Sequence, residues 1–571
     1  MRLKNLSLVV LVSGMIAGGC SSISFLTKSP ADKFARIVDD YFSGAYSQQP
    51  KADSLHPFPW LSRNADLLDA ETAGRVLMDL HSVDTTELSV DDRIDWLQLE
   101  AALKRTQRDV SLDMAARNPM QYLTVGGLTW RLSGTRTLSS REWDEILQTL
   151  RRAPVALGMG RRQLNGPPPL WINLAANTAG RYAGFLSGAF VAKVKNSAPD
   201  SMKNELLEAG NRASEAISQF GHFLSDSLPR GSEIGWRVGT EYYNWLLANV
   251  NFLPYTAASM IREGWRVHDE TKAALTALAR RIDSTKTWQQ LVEEMKERHP
   301  QPGTIADAYR RESDRVKALL LDKRLVTIPE PETLLFVPTP PSLRETYAWG
   351  GYGGIVDRDS VATGRFFVTD VVPGMTDEAI RQKLRIQNYG WITVIALHEG
   401  YPGHHLQALY ARKNPSKVRS RLGSTYYGEG WALYCENWMA RSGFYQNADD
   451  SLAWLQMRLW RTARVIVDPS IHTGAMTYEE AVQFMVKEVG LERSAAEAEV
   501  NRYTTWPTQA PSYIIGWLEI ERLEKEIKAK FGARFNERDF VERVLKVGSL
   551  PLELMKRAVW KTYHESMRGS Q

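Results

Sequence analysis

The chain has 571 residues, of which 43% are hydrophobic, 24% charged and 10% aromatic. That mixture excludes a disordered chain, a collagen-like repeat and a small disulfide scaffold. The 71 Lys and Arg residues stand against 66 Asp and Glu, a balance of +5, too thin over this length for a nucleic-acid-binding surface.

In chain order, the first feature is an address. Arg2 and Lys4 precede an apolar run over residues 6–16, and Ala17, Gly18, Gly19 and Cys20 follow. A charged start, a short apolar core and small residues at a cleavage point make a secretory signal. The run is too short to cross a hydrocarbon core of roughly 30 Å as a helix. A plain cleaved signal peptide fits; so does a bacterial lipoprotein signal, which the cysteine after small residues resembles. One departure is that Ala17 stands three residues before the cysteine, where such signals usually carry Leu. The lipoprotein resemblance implies loss of residues 1–19, a lipid on Cys20 and a tether over residues 20–30. With Ser21 next in the chain it implies sorting to the outer membrane, the body lying in the periplasm. Cys435 is the remaining cysteine, and in an oxidising compartment it is expected to be buried and unpaired.

Residues 31–295 follow a mostly helical period. Residues 91–108 alternate apolar and charged side chains at helical spacing, and Ser139 with Glu142 forms a capping box. Residues 206–228 and 257–291 read as long helices, while 165–170 and 300–303 read as loops. Between about 329 and 373 the texture turns rich in Pro, Gly and β-branched residues, and the runs 334–337 and 365–368 suit strands. Helices resume near Thr376, with further capping boxes at Thr477–Glu480 and Ser494–Glu497. The expectation is a mainly α protein: one helical body over residues 31–571 carrying a small inserted β-hairpin or sheet.

The chemistry concentrates between residues 398 and 436. Only ten histidines occur, and three fall in His398-Glu399-Gly400-Tyr401-Pro402-Gly403-His404-His405. The preceding run 391–397 is apolar, so this block should be buried, where His and Glu are costly unless paired or bound to a metal. Imidazole and carboxylate are the donors of a catalytic zinc site. In the usual His-Glu-x-x-His helix the two histidines are four residues apart, about 40° around the axis. Here His404 is six residues from His398, about 120° away from facing it, and His405 is seven, about 10.5 Å along the axis. Neither reaches a shared ion from a straight helix. Pro402 removes a helical hydrogen bond and Gly403 tolerates unusual backbone, so a bulged or broken helix that returns one of the two histidines to the metal is expected. A Pro-Gly helix end with hydrogen-bonded histidines is the plainer alternative.

Glu429 and Glu436 lie seven apart on a second helical segment, in the company of Trp431, Leu433 and Tyr434. Carboxylates in such company want a cation. Arg458, Arg461 and Arg464, spaced by three, suit either a substrate carboxylate or salt bridges to neighbouring helices.

These blocks resemble the bacterial family called domain of unknown function 885, together with Val467-Asp468-Pro469-Ser470-Ile471-His472, Arg502-Tyr503 and residues 507–516. That family is grouped by similarity with helical zinc peptidases such as carboxypeptidase Taq and thimet oligopeptidase. The resemblance implies a zinc-peptidase-like helical fold with its site in residues 391–516 and one zinc ion per chain. It makes His398, His404 and Glu429 the metal ligands, with His405 as an alternative second ligand, and Glu436 a supporting acid behind them. It makes Glu399 the general base, Tyr513 and His472 donors to the reaction's oxyanion, and Arg502 a substrate-binding residue. The implied activity is cleavage of peptide bonds. A hydrolase of non-peptide amides or esters, an iron site, and an inactive lipid-anchored binding or scaffold protein are the other readings.

Overall fold

Side-chain caps decide where many of the helices begin. Ser29 opens Pro30–Ser43, Ser62 opens Arg63–His81 and Ser89 opens Val90–Asp109, each hydroxyl accepting a backbone N–H in the first turn. The structure, a computed structural model, describes residues 29–49, 61–132, 137–339, 349–356, 361–372 and 374–568. The signal, Cys20 and most of the tether lie outside the described residues. Those first three helices share a small core of Phe34, Val76, Leu80 and Leu99. A second core joins Ser140–Gln163, Pro169–Ser187 and Asp200–His222 through Trp143, Leu150, Ile172 and Phe220.

The expected capping boxes at Ser139–Glu142 and Thr477–Glu480 form. The one at Ser494–Glu497 does not: the helix starts at Arg493, and Glu497 pairs with that arginine instead. The helix expected over residues 257–291 is also broken. It ends at Ile282, where the Asp283 carboxylate takes the Thr285 N–H, and a capping box at Thr287 opens a new helix, Trp288–Lys296.

The elements that carry the site are α1 (Ala257–Ile282), α2 (Ile305–Asp322), β1 (Glu332–Pro338), β2 (Gly350–Val356), β3 (Ala362–Val368), α3 (Tyr389–Glu399), α4 (His404–Ala411), α5 (Thr425–Arg441), α6 (Ala448–Thr473), α7 (Arg493–Thr505) and α8 (Ser512–Phe531). The strands order β1-β3-β2, with β1 parallel and β2 antiparallel to β3. The insert is therefore a mixed three-stranded sheet. Its third strand is the glycine-rich stretch around Tyr352. Phe366 of β3 anchors the sheet against Tyr309 of α2, ring centroids 4.9 Å apart.

Helix α3 is apolar on every side, as a helix at the centre of a body must be. Its Leu397 joins a core with Trp431 and Ile514; its Trp391, Ile395 and Ala396 join another with Trp460 and Phe366. Around it α6 packs along α1 and α3, and α5 along α8. The last contact is close because glycine meets glycine: a Cβ on Gly430 or Gly516 would stand 2.5 Å from the other's Cα. No helix among the described residues is long and apolar enough to cross a membrane.

Candidate metal centre

The break between α3 and α4 sets the site. In an unbroken helix the Leu397 carbonyl would accept from residue 401. It accepts instead from the Gly403 N–H, at 3.1 Å. Two residues are looped out and the helix resumes. His404 thereby takes the place that the fourth residue after His398 would hold, and the pair regains the geometry of an ordinary zinc helix. Gly403 is needed for this, since a Cβ there would overlap the carbonyl oxygen of His398.

Helix α5 brings the acid. Glu429 Oε2 lies 3.5 Å from His398 Nε2 and 3.3 Å from His404 Nε2. One donor atom from each of the three residues falls within 4.8 Å of the others. Ligands about 2.05 Å from zinc at a tetrahedral angle are roughly 3.3 Å apart, so both separations suit a shared ion. Glu429 Oε2 is buried and has no hydrogen-bond partner. The donor set, two imidazoles and one carboxylate, is also that of catalytic zinc.

The surroundings favour a cation. Burial alone would lower the His398 imidazole, but Glu429 and Glu436 hold it at about 9. Burial likewise lowers His404, and Glu429, then Glu399, turn it upward. Burial would raise the Glu429 carboxyl, yet the two imidazoles hold it well below its usual range. With no metal, this surplus of negative charge draws protons; a divalent cation satisfies the same carboxylates. Glu436 is fully buried and sits 2.8 Å from His398 Nδ1, which fixes the tautomer that frees Nε2. Arg461 balances Glu436 from α6 at 3.3 Å.

Glu399 points to the sheet, where its Oε2 accepts the Tyr352 N–H of edge strand β2 at 2.8 Å. Tyr513, at the start of α8, stacks on the His398 ring with centroids 6.3 Å apart. Its hydroxyl has no hydrogen-bond partner among the described residues, and burial pushes it up to about 12. The Arg464 guanidinium lies 4.6 Å from the Tyr513 ring centroid and is bound by Glu499 at 2.9 Å.

Three predicted residues lie elsewhere. His405 points away: its Nε2 meets Glu332 Oε2 at 2.9 Å and its Nδ1 meets the Tyr352 hydroxyl at 3.1 Å. His472 is buried against Trp236 and Tyr243, with Nε2 donating to the Tyr503 carbonyl at 3.0 Å. It makes no hydrogen bond or ring contact with His398, His404 or Glu429. Arg502 binds Glu499 and Gln509 and shares Glu499 with Arg464, so it reaches Tyr513 only at second hand. Of the arginine row, two members are salt-bridged, while Arg458 lies over Trp454 and Trp517. Cys435 is buried and free, as expected.

Sequence reasoning missed Glu332 and Tyr352. A charged residue opening the apolar run of β1, and a lone aromatic between two glycine pairs, were the available signals. Beside His404 a cavity of about 350 Å³ opens along α4, with Tyr352 and Tyr427 as walls and Ala408 and Ala411 as floor.

A family model described as "Bacterial protein of unknown function (DUF885)" matches residues 50–559. Comparison with curated proteins finds no match. Among solved structures, a candidate lipoprotein of unknown function from Shewanella oneidensis is similar at TM-score 0.73 and 20% identity, covering 93% of this chain and 99% of that one. A candidate lipoprotein from Colwellia psychrerythraea is similar at TM-score 0.71 and 17% identity, covering 94% and 100%. At these identities the likeness is one of fold.

Proposed function

The chain belongs to the bacterial DUF885 family, and from the geometry of the site above we propose that it is a zinc-dependent hydrolase cleaving peptide bonds in peptides or oligopeptides. The observation that carries the reading is the buried, unpartnered Glu429 Oε2 between two imidazole nitrogens at 3.5 and 3.3 Å. His398, His404 and Glu429 would hold one ion per chain, and His405 none. When bound, zinc polarises a carbonyl and brings the pKa of a water toward neutrality. Glu399 accepts the proton of the attacking water and passes it to the leaving nitrogen. Tyr513, kept protonated at neutral pH, donates to the developing oxyanion, and Arg464 over its ring orients it. Glu436 keeps the Nδ1 proton of His398 in place throughout.

Metal analysis and a peptide-cleavage screen test this together. Glu399→Gln should keep one zinc per chain and lose roughly 10²–10⁴ in turnover. His404→Ala should lose the zinc, and His405→Ala should keep it. Protein that binds no metal, or binds it and cleaves nothing, sinks the peptidase reading and favours the binding or scaffold alternative.

The same reading makes Cys20 the lipidated N-terminus of a periplasmic protein, supported by the signal and by the lipoprotein candidates of the same fold. Cys20→Ser should move the protein from the membrane fraction to the soluble one; retention in the membrane argues for another anchor.

A further inference from the structure

The cavity beside His404 is built to meet carbon. Its floor is one stripe of α4: His404, Ala408 and Ala411 follow at four and three residues, so they share a face running about 10 Å from the metal position. Two alanines keep that floor low. No Asp, Glu, Lys or Arg is among the described residues that line it. Most of the polar groups of its walls already bond within the protein. The Tyr427 hydroxyl donates to the Val544 carbonyl at 3.0 Å, and the Ser549 hydroxyl accepts the Ser424 N–H at 2.9 Å. Gln407 turns its amide to the Tyr427 carbonyl at 3.4 Å. The Tyr352 hydroxyl is bound to His405, which Glu332 holds from behind, while the Tyr352 N–H is bound to Glu399. Glu332 in turn takes Lys317 and Tyr401, so this wall is anchored in a buried charge network. What faces a guest is mainly two aromatic rings and two methyl groups, beside the Gln407 amide and the Ser549 hydroxyl. A charged side chain would be desolvated there without a partner.

We infer that this cavity is the subsite that selects the substrate: it takes an uncharged aliphatic or aromatic side chain adjoining the bond to be cleaved, and Ala408 sets its size. The inference rests on the zinc reading of the neighbouring site. Tyr352 is a positioning residue here, holding one wall while its N–H holds Glu399.

Binding of hydroxamates to the zinc-loaded protein, measured by calorimetry, tests the subsite without requiring turnover. Acetohydroxamate probes the metal alone; 3-phenylpropanohydroxamate adds an aromatic arm; the succinate analogue adds a charged one. The aromatic arm should improve affinity about tenfold or more, and the charged arm should not. Ala408→Trp should erase the aromatic gain and leave acetohydroxamate unchanged. Ala411→Phe, farther from the metal, should reduce the gain and serves if the first variant folds poorly. Acetohydroxamate binding with no gain from the aromatic arm, or a larger gain from the charged one, overturns the subsite and leaves the zinc reading standing. No hydroxamate binding at all removes both.

Discussion

His398 has two ring nitrogens, and each faces an acid with a different task. Glu436 meets Nδ1 in full burial, while Glu429 meets Nε2 where a second imidazole also points. Seven-residue spacing put both acids on one helix face, and that much was readable from the chain. Which histidine joins His398 was not, because residues 404 and 405 are equally distant from a straight-helix solution. The answer lies in a backbone bond, Gly403 N–H to Leu397 carbonyl, that no side-chain pattern announces. The family motif around Asp468 also has a physical reading. Its carboxylate is buried, accepting from the Tyr243 hydroxyl at 2.5 Å and the Thr508 N–H at 3.1 Å, and burial pushes it up to about 7. Its folded value thus lies above the unfolded value of about 3.9. The native state holds the proton more tightly, so that contribution to stability is complete below about pH 4 and is lost as pH rises to 7, on the order of 4 kcal/mol in all. Asp468→Asn lacks the titration. The stability difference between variant and wild type, from urea unfolding at pH 4.5 and 7.5, should move toward the variant by several kcal/mol. A constant difference would show that Asp468 is ionised in the fold.

Helix α3 was legible as a buried helix because six of the seven residues 391–397 are apolar, Thr393 being the exception. The helix over 257–291 was misread because its apolar period continues across Asp283 and Thr287, whose capping bonds divide it. Strand β2 escaped because glycine carries no β signal, and its strand identity comes from pairing with β3. The α5–α8 crossing was equally silent in the chain, yet it sets Glu429 against Tyr513 through Gly430 and Gly516. Gly516→Val should force the two backbones apart, costing about 1–3 kcal/mol or more by overpacking and weakening zinc affinity with it. Gly428→Ala, two residues before Gly430 and so on the other side of the helix, with open space at its Cβ, should gain about 0.5–1 kcal/mol and leave zinc affinity alone. Thermal melts and zinc titrations separate them; equal effects would mean that the crossing does not position the site.

At the scale of the molecule, the helical body surrounds α3 with two cores, and the sheet closes the side from which Glu399 is held. The mainly α class and the location of the insert follow from composition and period alone. The convergence of three side chains from α3, α4 and α5 does not, since it depends on a broken helix and on long-range packing. An anomalous-difference map from crystals grown with zinc and collected at the zinc edge tests that convergence directly. The account predicts one strong peak per molecule about 2 Å from His398 Nε2, His404 Nε2 and a Glu429 oxygen. A map with no peak there, or with its peak between His405 and Glu332, would contradict it.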